Sequence, residues 1–458
     1  MSGTRILGLA QLTVRDAIRS RLFLSLAVLL VLCGVGLPLT VQGDGTVLGR
    51  SQVALRYAFG AAAILLSIAT LWAACGLLAS EISDRRIHLV LAKPVSLLEL
   101  WIGKWLGIMA VNAVLLALAV ALIAGSLLWI FRPAAIRPED RRTVADRVFA
   151  TYARLRPDEA DVERRTAERL TRLEADGRVP PGVPLPRVRQ AVRGSVLREA
   201  GTAAPGASVR WQFPPARPLA PRKPAFLVFT CASSLPFGSS APGVWRIRQT
   251  GQSDNLEAGY EATPGIPNVI ELPAAALAGN RGVTVEFANC ATNPPATVVF
   301  EPDRVELRVW CGALWPNLAR AALVILCRLG FLAALGIAAG SLLSLPVAVF
   351  TACATLVVLA LGPYVQTVVT TGVFYVPHEG PPPEPGRLDA ALKAIFRGVD
   401  LVVGPLLRLD PVSLVADNLL VSWRLVGQAA LVLVALYAGA LTAGGLWLLR
   451  RREIARPG

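Results

Sequence analysis

Apolar residues along this chain fall into long runs that no charge interrupts. Residues 329–377 are 49 consecutive positions without Asp, Glu, Lys, Arg or His. At about 1.5 Å of rise per residue, a helix crosses a bilayer in roughly 20 residues, so this run is long enough to cross twice. Ser341, Ser344 and Pro346 interrupt it near its first third, where a hairpin between two spans would meet the headgroups. Four more spans follow from the same pattern. Residues 22–39 are 18 uncharged positions, 54–80 carry only Arg56 near their start, 105–131 are 27 uncharged positions and 425–449 are 25. The pattern predicts six spans.

An even number of spans puts both ends of the chain on one side, and the basic residues say which. Arg5, Arg15, Arg19 and Arg21 precede the first span, Arg85, Arg86, Lys93 and Lys104 lie between the second and third, and Arg450, Arg451 and Arg452 follow the last. Cytoplasmic loops carry that excess, so both termini are expected inside. Tryptophans mark the expected borders, Trp101, Trp105 and Trp447 at cytoplasmic ends and Trp129, Trp315 and Trp423 at the opposite ones. A fourth span starting near Ile325 puts Arg328 about one turn inside the outer interface, where it can snorkel. The first span reads as uncleaved, because its apolar core is longer than that of a signal peptide and no small-x-small site is clear around residues 38–45. Before it, residues 4–20 place Ile6, Leu7, Leu9, Val14 and Ile18 on one side of a helical wheel and Arg5, Arg15 and Arg19 on the other. That pattern suits a helix lying in the cytoplasmic interface.

Between the third and fourth spans lies an insert, residues 132–316, placed outside the cytoplasm by this topology. Its first part, 138–201, reads as helical. Val144, Val148, Tyr152 and Leu155 recur at helical spacing, Pro157 breaks the pattern, and Val162, Thr166, Leu170 and Leu173 resume it before Gly177. With opposite faces dense in Arg and Glu, a solvated hairpin is expected. A Pro-rich linker at 179–186 and one more short helix follow. Residues 205–310 then turn to strands: Trp245 and Ile247 alternate with Arg246 and Arg248, Val283, Val285 and Phe287 with Thr284 and Glu286, and Val305, Leu307 and Val309 with Glu306 and Arg308. Short strands separated by Gly, Pro and Asn predict a β-sandwich. The fold class is therefore a mainly α-helical polytopic membrane protein whose extracytoplasmic α+β insert ends in a β-sandwich-like domain. Residues 1–131 hold the first three spans, and 317–458 the last three with an extracytoplasmic segment at 376–420.

Composition changes little in this picture. The net charge of +15 sits largely beside the spans, where orientation and anionic lipid account for it, and no segment resembles a nucleic-acid module. Cys33, Cys75, Cys327 and Cys353 lie in spans, while the three cysteines of the insert allow one disulfide, Cys231–Cys290 being one candidate, with a thiol left over. Two histidines, His88 and His378, fall on opposite sides of the membrane and assemble no metal site. No phosphate loop and no G-x-S-x-G elbow occurs, and the spans carry almost no ionisable residues for a proton relay. No catalytic residue, cofactor site or metal site is expected in this chain, and the energy for any movement must come from a partner.

The segment suited to receive that energy is the charged loop 80–104. Glu81 leaves the second span, Asp84, Arg85 and Arg86 follow, Lys93-Pro94 comes next, and Gly103-Lys104 begins the third span. Glu81, Asp84, Arg85 and Arg86 form a mixed-charge surface fit for docking on a soluble protein, with Ile87, Leu89 and Leu91 as anchors. This order of elements resembles the signature of ABC-2 type permeases, the membrane subunits of ATP-binding-cassette transporters. Further similarities are the basic leading helix, the turn at 341–348, Leu409-Asp410-Pro411 before the last span, and the closing Arg451-Arg452-Glu453. The resemblance spans nearly all of the chain outside 132–310. The large insert departs from it, since many members have only a short loop there.

The resemblance implies a permease subunit without catalytic residues, working as a homodimer or with a related permease. ATP and Mg would be held by a separate ABC ATPase that docks on Glu81, Asp84, Arg85, Arg86, Lys93 and Pro94. It implies a prokaryotic cytoplasmic membrane and, because members are mostly exporters, export. An alternative from another class is an anchoring or mechanotransmission protein that relays ATPase motion to the exported domain and moves no substrate. The topology is checked by reporters: fusions at Gly201 should read outside and fusions at Arg86 and Arg456 inside. Cytoplasmic labelling at Gly201 would remove the basis of the reading.

Overall fold

The computed structural model of the chain describes residues 3–41, 43, 45–83, 96–179, 185–215, 223–236, 239–249, 256–274, 282–290, 295–301, 304–360, 394, 397–398, 404 and 409–451. Contacts divide it into two compact units, Met1–Phe149 with Ala313–Gly458, and Ala150–Gly312. The second unit thus begins and ends inside the expected boundaries of 132 and 316. Residues before it, Val144 and Val148 among them, pack into the core of the helical unit.

In chain order the helical unit contains α1 (Gly3–Arg19), α2 (Arg21–Val31), α3 (Val47–Ser83) and α4 (Leu97–Ile130). The inserted unit supplies two helices, α5 (Ala160–Ala175) and α6 (Leu185–Ala200), and the chain returns to the first unit with α7 (Leu314–Leu342), α8 (Leu345–Ala360), α9 (Pro411–Ala416) and α10 (Trp423–Arg451). Among the described residues, five helices are long and apolar enough to cross a membrane: Phe23–Thr40, Val47–Leu77, Leu97–Ile130, Leu314–Leu342 and Trp423–Arg451. This is a helical membrane protein carrying a separate β-sheet unit. The break at Ser341 to Pro346 falls where the sequence places it, with α7 ending at Leu342 and α8 starting at Leu345. The remainder of the uncharged run, 361–377, and most of the segment 376–420 lie outside the described residues.

Lipid offers helices no hydrophobic reason to associate, so close backbone approach and buried polar bonds must do it. Glycine pairs four residues apart supply that approach. A Cβ at Gly336 would stand 2.5 Å from Ala74 Cβ and one at Gly340 would stand 2.3 Å from the Cys75 carbonyl oxygen, so α7 lies directly on the backbone of α3. Likewise a Cβ at Gly103 or Gly107 would stand 2.6 Å from Leu9 Cβ or Thr13 Cβ, which seats α1 on α4. The face α1 uses is therefore Ile6, Leu9, Ala10 and Thr13, while Leu7 and Ile18, which the helical wheel groups with them, are exposed. Thr70 Oγ1 donates to Asn112 Oδ1 at 3.0 Å between α3 and α4, and Trp105 Nε1 to the Gly330 carbonyl at 2.9 Å between α4 and α7.

Trp101, in the second turn of α4, is fully buried with its ring over Gly445 of α10. One expectation fails in this unit. Arg328 is not one turn from the helix start. α7 begins at Leu314, with Pro316 in its first turn where a missing N–H costs nothing, and it runs through Arg320 and Arg328 without a break.

In the inserted unit, the expected helix through Tyr152 and Leu155 is instead strand β1 (Ala150–Leu155). The same residues also alternate, and in the fold Tyr152 packs edge-on against Phe226 while Arg154 pairs with Glu306 at 2.6 Å, contacts that a helix would not make. The expected hairpin across Pro157 therefore does not form; α5 pairs instead with the helix after the Pro-rich linker, α6, through a shared core of Val162, Leu170, Leu173, Val188, Val192 and Val196. Arg193 reaches Glu159 and Glu163 across it, and with Arg189 holds the Glu163 carboxyl below its usual range. Gly177, at φ 61, closes α5.

The remaining strands are β2 (Thr202–Ala203), β3 (Ser208–Phe213), β4 (Ala225–Phe229), β5 (Cys231–Ser233), β6 (Ala241–Gln249), β7 (Leu256–Ala262), β8 (Asn268–Leu272), β9 (Val283–Asn289), β10 (Val298–Phe300) and β11 (Glu306–Ala313). They form three sheets, in the orders β1-β11-β4-β8, β2-β10-β5 and β3-β9-β6-β7. All three feed one core. Trp245 of β6 sits 4.5 Å from Phe229 of β4, 5.0 Å from Phe287 of β9 and 5.6 Å from Phe300 of β10 between ring centroids. Cys231 and Cys290 are both free thiols, so the candidate bridge is not made, and burial pushes the Cys231 thiol up to about 11.

Replacing Gly340 with Leu should lower stability by at least about 1–3 kcal/mol, because backbone rather than a flexible side chain blocks the new Cβ. Gly125→Leu, with nothing within 4 Å of its Cβ position, is the control. Thermal unfolding in detergent separates the two, and equal midpoints would show that α7 and α3 are not in close contact.

Candidate functional site

Of the residues expected to dock a partner, Glu81 lies in the last turn of α3, while Asp84, Arg85, Arg86, Lys93 and Pro94 lie outside the described residues. The structure therefore brings together the two ends of the loop, and those ends are firmly built. Ser96 caps α4, accepting from the Glu99 backbone N–H at 3.2 Å, and Glu99 returns the favour by accepting from the Ser96 N–H at 2.9 Å. This reciprocal capping box satisfies two of the backbone donors that a helix start leaves open. Glu99 is buried despite its charge.

One turn on, Lys104 is also buried, and its Nζ donates to the Leu77 carbonyl at 3.2 Å. The carbonyl it meets lies six residues before the end of α3, so the bond is to the body of that helix. It also ties the end of one span to the start of the next. The sequence reading placed Lys104 within the loop signature but gave it no contact. Its partner, a main-chain carbonyl, leaves no mark in a sequence. Around this junction α1 rests on Gly103 and Gly107, and α10 is held through Trp101 and Gly445.

At the opposite end of the helical unit, residues 409–422 pack down among the helices. Val415, Ala416 and Val421 are fully buried. Asn317 of α7 holds this segment with both halves of its amide: Nδ2 donates to the Leu419 carbonyl at 2.8 Å and Oδ1 accepts from the Val421 N–H at 2.7 Å. Arg56 pairs with Asp417 at 2.9 Å, and Asn418, at φ 57, donates from Nδ2 to the Arg147 carbonyl. The Leu419 carbonyl and Val421 N–H are non-helical backbone groups in a buried segment, so each needs a partner, and the Asn317 side chain of α7 provides both. Arg56 was legible as the odd charge in an apolar run; Asn317 carries no sequence signal beyond being polar.

Among the described residues no group of three His, Cys, Asp or Glu side chains is placed to hold a metal ion. No family model, curated protein or solved structure matches the chain.

Replacing Asn317 with Leu leaves the Leu419 carbonyl and the Val421 N–H buried and unpaired, at roughly 1–3 kcal/mol each. The expected result is a lower melting midpoint with faster tryptic cleavage at Arg424. Unchanged cleavage would show that the segment is held by packing alone.

Proposed function

We propose that this chain is the membrane subunit of an ATP-binding-cassette transporter of the ABC-2 type. It works as a pair of such chains driven by two separate ATPase subunits, and it exports its substrate. In this reading the spans number six, α8 and the rest of the uncharged run forming the fifth, with both termini cytoplasmic and the 150–312 unit outside as a β-sandwich with a helical hairpin. ATP and Mg belong to the partner.

The observation that carries the reading is the construction around residues 84–95. A mixed-charge loop is inserted between helices whose ends are tied by the Lys104–Leu77 bond, the Ser96–Glu99 box and the seat of α1 on Gly103 and Gly107. Glu81, Asp84, Arg85 and Arg86 offer the docking charges, and Lys93-Pro94 returns the chain to Ser96. A loop that merely oriented the protein by its charge would need no such frame. The separate core of the 150–312 unit favours a second reading, in which the spans relay ATPase motion to that unit and no substrate passes.

Replacing both Arg85 and Arg86 with glutamate sets like charges against acidic groups on the ATPase, which typically costs several kcal/mol at a desolvated interface. The double variant should insert and fold normally yet fail to co-purify with its ATPase. Retained complex and normal hydrolysis would remove these residues from the docking surface.

A further inference from the structure

Arg328 stands at the midpoint of the 29-residue α7, about 21 Å from either end of the helix. A charge at that depth is rare in a membrane span and marks a function or a partner. Its direction is inward. Asn317, Ala321, Val324, Ile325 and Leu332 lie on the same face, and all are 3% exposed or less. Leu323 and Ala319, on the opposite face, are exposed. Arg328 itself is only half-buried, and so are Leu335 and Ala339 further along its face toward Leu342. Residues 409–422 cover this face toward Leu314, and Leu332 stays fully buried beyond Arg328, so Arg328, Leu335 and Ala339 are the positions on it that keep partial exposure.

The guanidinium carries five N–H donors. Among the described residues it makes no hydrogen bond and no ion pair within 4.0 Å. The acidic group whose field reaches it is Asp410. That carboxylate is already committed as the cap of α9: Oδ1 accepts from the Val412 N–H at 3.1 Å, and Oδ2 accepts from the Ser413 hydroxyl. Asp410 therefore lowers the cost of the buried charge without occupying its donors. A planar fork of donors that no described side chain occupies, half-buried at the middle of a span, matches an oxyanion.

We propose that Arg328 binds an anionic group, carboxylate or phosphate, of the molecule the permease moves, with Asp410 as the charge the ligand displaces. The role in transport rests on the permease reading; the binding does not.

The test uses the purified full chain in dodecyl maltoside at fixed ionic strength, with thermal unfolding as readout and dodecyl phosphate, inorganic phosphate and dodecyltrimethylammonium as probes. The expected result is a rise in midpoint with dodecyl phosphate and none with the cationic amphiphile. An equal rise with inorganic phosphate would assign the site to soluble anions, and a rise with dodecyl phosphate alone to amphiphiles bearing the group; both keep the proposal. Arg328→Gln should abolish the rise and Arg328→Lys should retain part of it. Asp410→Asn keeps a good helix cap and removes the competing charge, so anion affinity should increase at least about threefold. That arm decides even where Arg328→Gln does not fold. No rise, an equal rise in Arg328→Gln, or unchanged affinity in Asp410→Asn overturns the proposal. Because no ATPase is present, its failure leaves docking at Arg85 and Arg86 untouched, and loss of docking leaves this binding intact.

Discussion

Helices surrounded by hydrocarbon gain nothing by hiding apolar surface from one another, and the rest of this structure follows from that constraint. Affinity between spans comes from places where side chains are absent or polar. Gly336 and Gly340 let α7 lie on the backbone of α3, and Gly103 and Gly107 do the same for α1 on α4. Among the described residues, the polar bonds between spans include Thr70 to Asn112, Trp105 to Gly330 and Lys104 to Leu77. Packed interiors repack in steps rather than bending smoothly, so a framework held at a handful of close contacts is suited to moving as blocks.

The two ends of the helical unit use that framework differently. Where α3 ends and α4 begins, a charged loop is set into a rigid junction. At the opposite end, irregular backbone is buried and held by Asn317, Arg56 and Asn418. Between them stands Arg328, a charge within the bundle. Under the permease reading proposed above, the loop would take the ATPase's force, the 409–422 segment would close one end and Arg328 would meet the ligand. The inserted unit contributes none of these; its aromatic core around Trp245 makes it a stable body in its own right.

Much of this was readable in the sequence where a pattern reports directly on burial. Uncharged runs longer than a bilayer located the helices, and the alternation around Trp245 and Ile247 located β6. Legibility failed where two patterns overlap or where the partner is main chain. Residues 144–148 are helical as their spacing suggests, whereas 150–155 can be read with either period and are a strand, marked by the contacts of Tyr152 with Phe226 and of Arg154 with Glu306. Arg328 was misplaced because charge was taken to mark the start of the span, whereas α7 starts at Leu314 and carries two arginines inside it. The six proposed docking residues were read from their charge pattern and from a family resemblance, and five of them lie outside the described residues. Lys104 and Asn317 act on carbonyls and N–H groups that every residue possesses, so nothing in the sequence distinguishes their partners.

The most direct test of the account is to purify the full chain from its own membrane in a mild detergent and to identify what accompanies it. The account requires a soluble subunit bearing a G-x-x-x-x-G-K-[ST] phosphate loop, present in equal amount, with vanadate-sensitive ATP hydrolysis by the complex. A chain that purifies to homogeneity as a stable, folded species with no nucleotide-binding subunit under those conditions would contradict it.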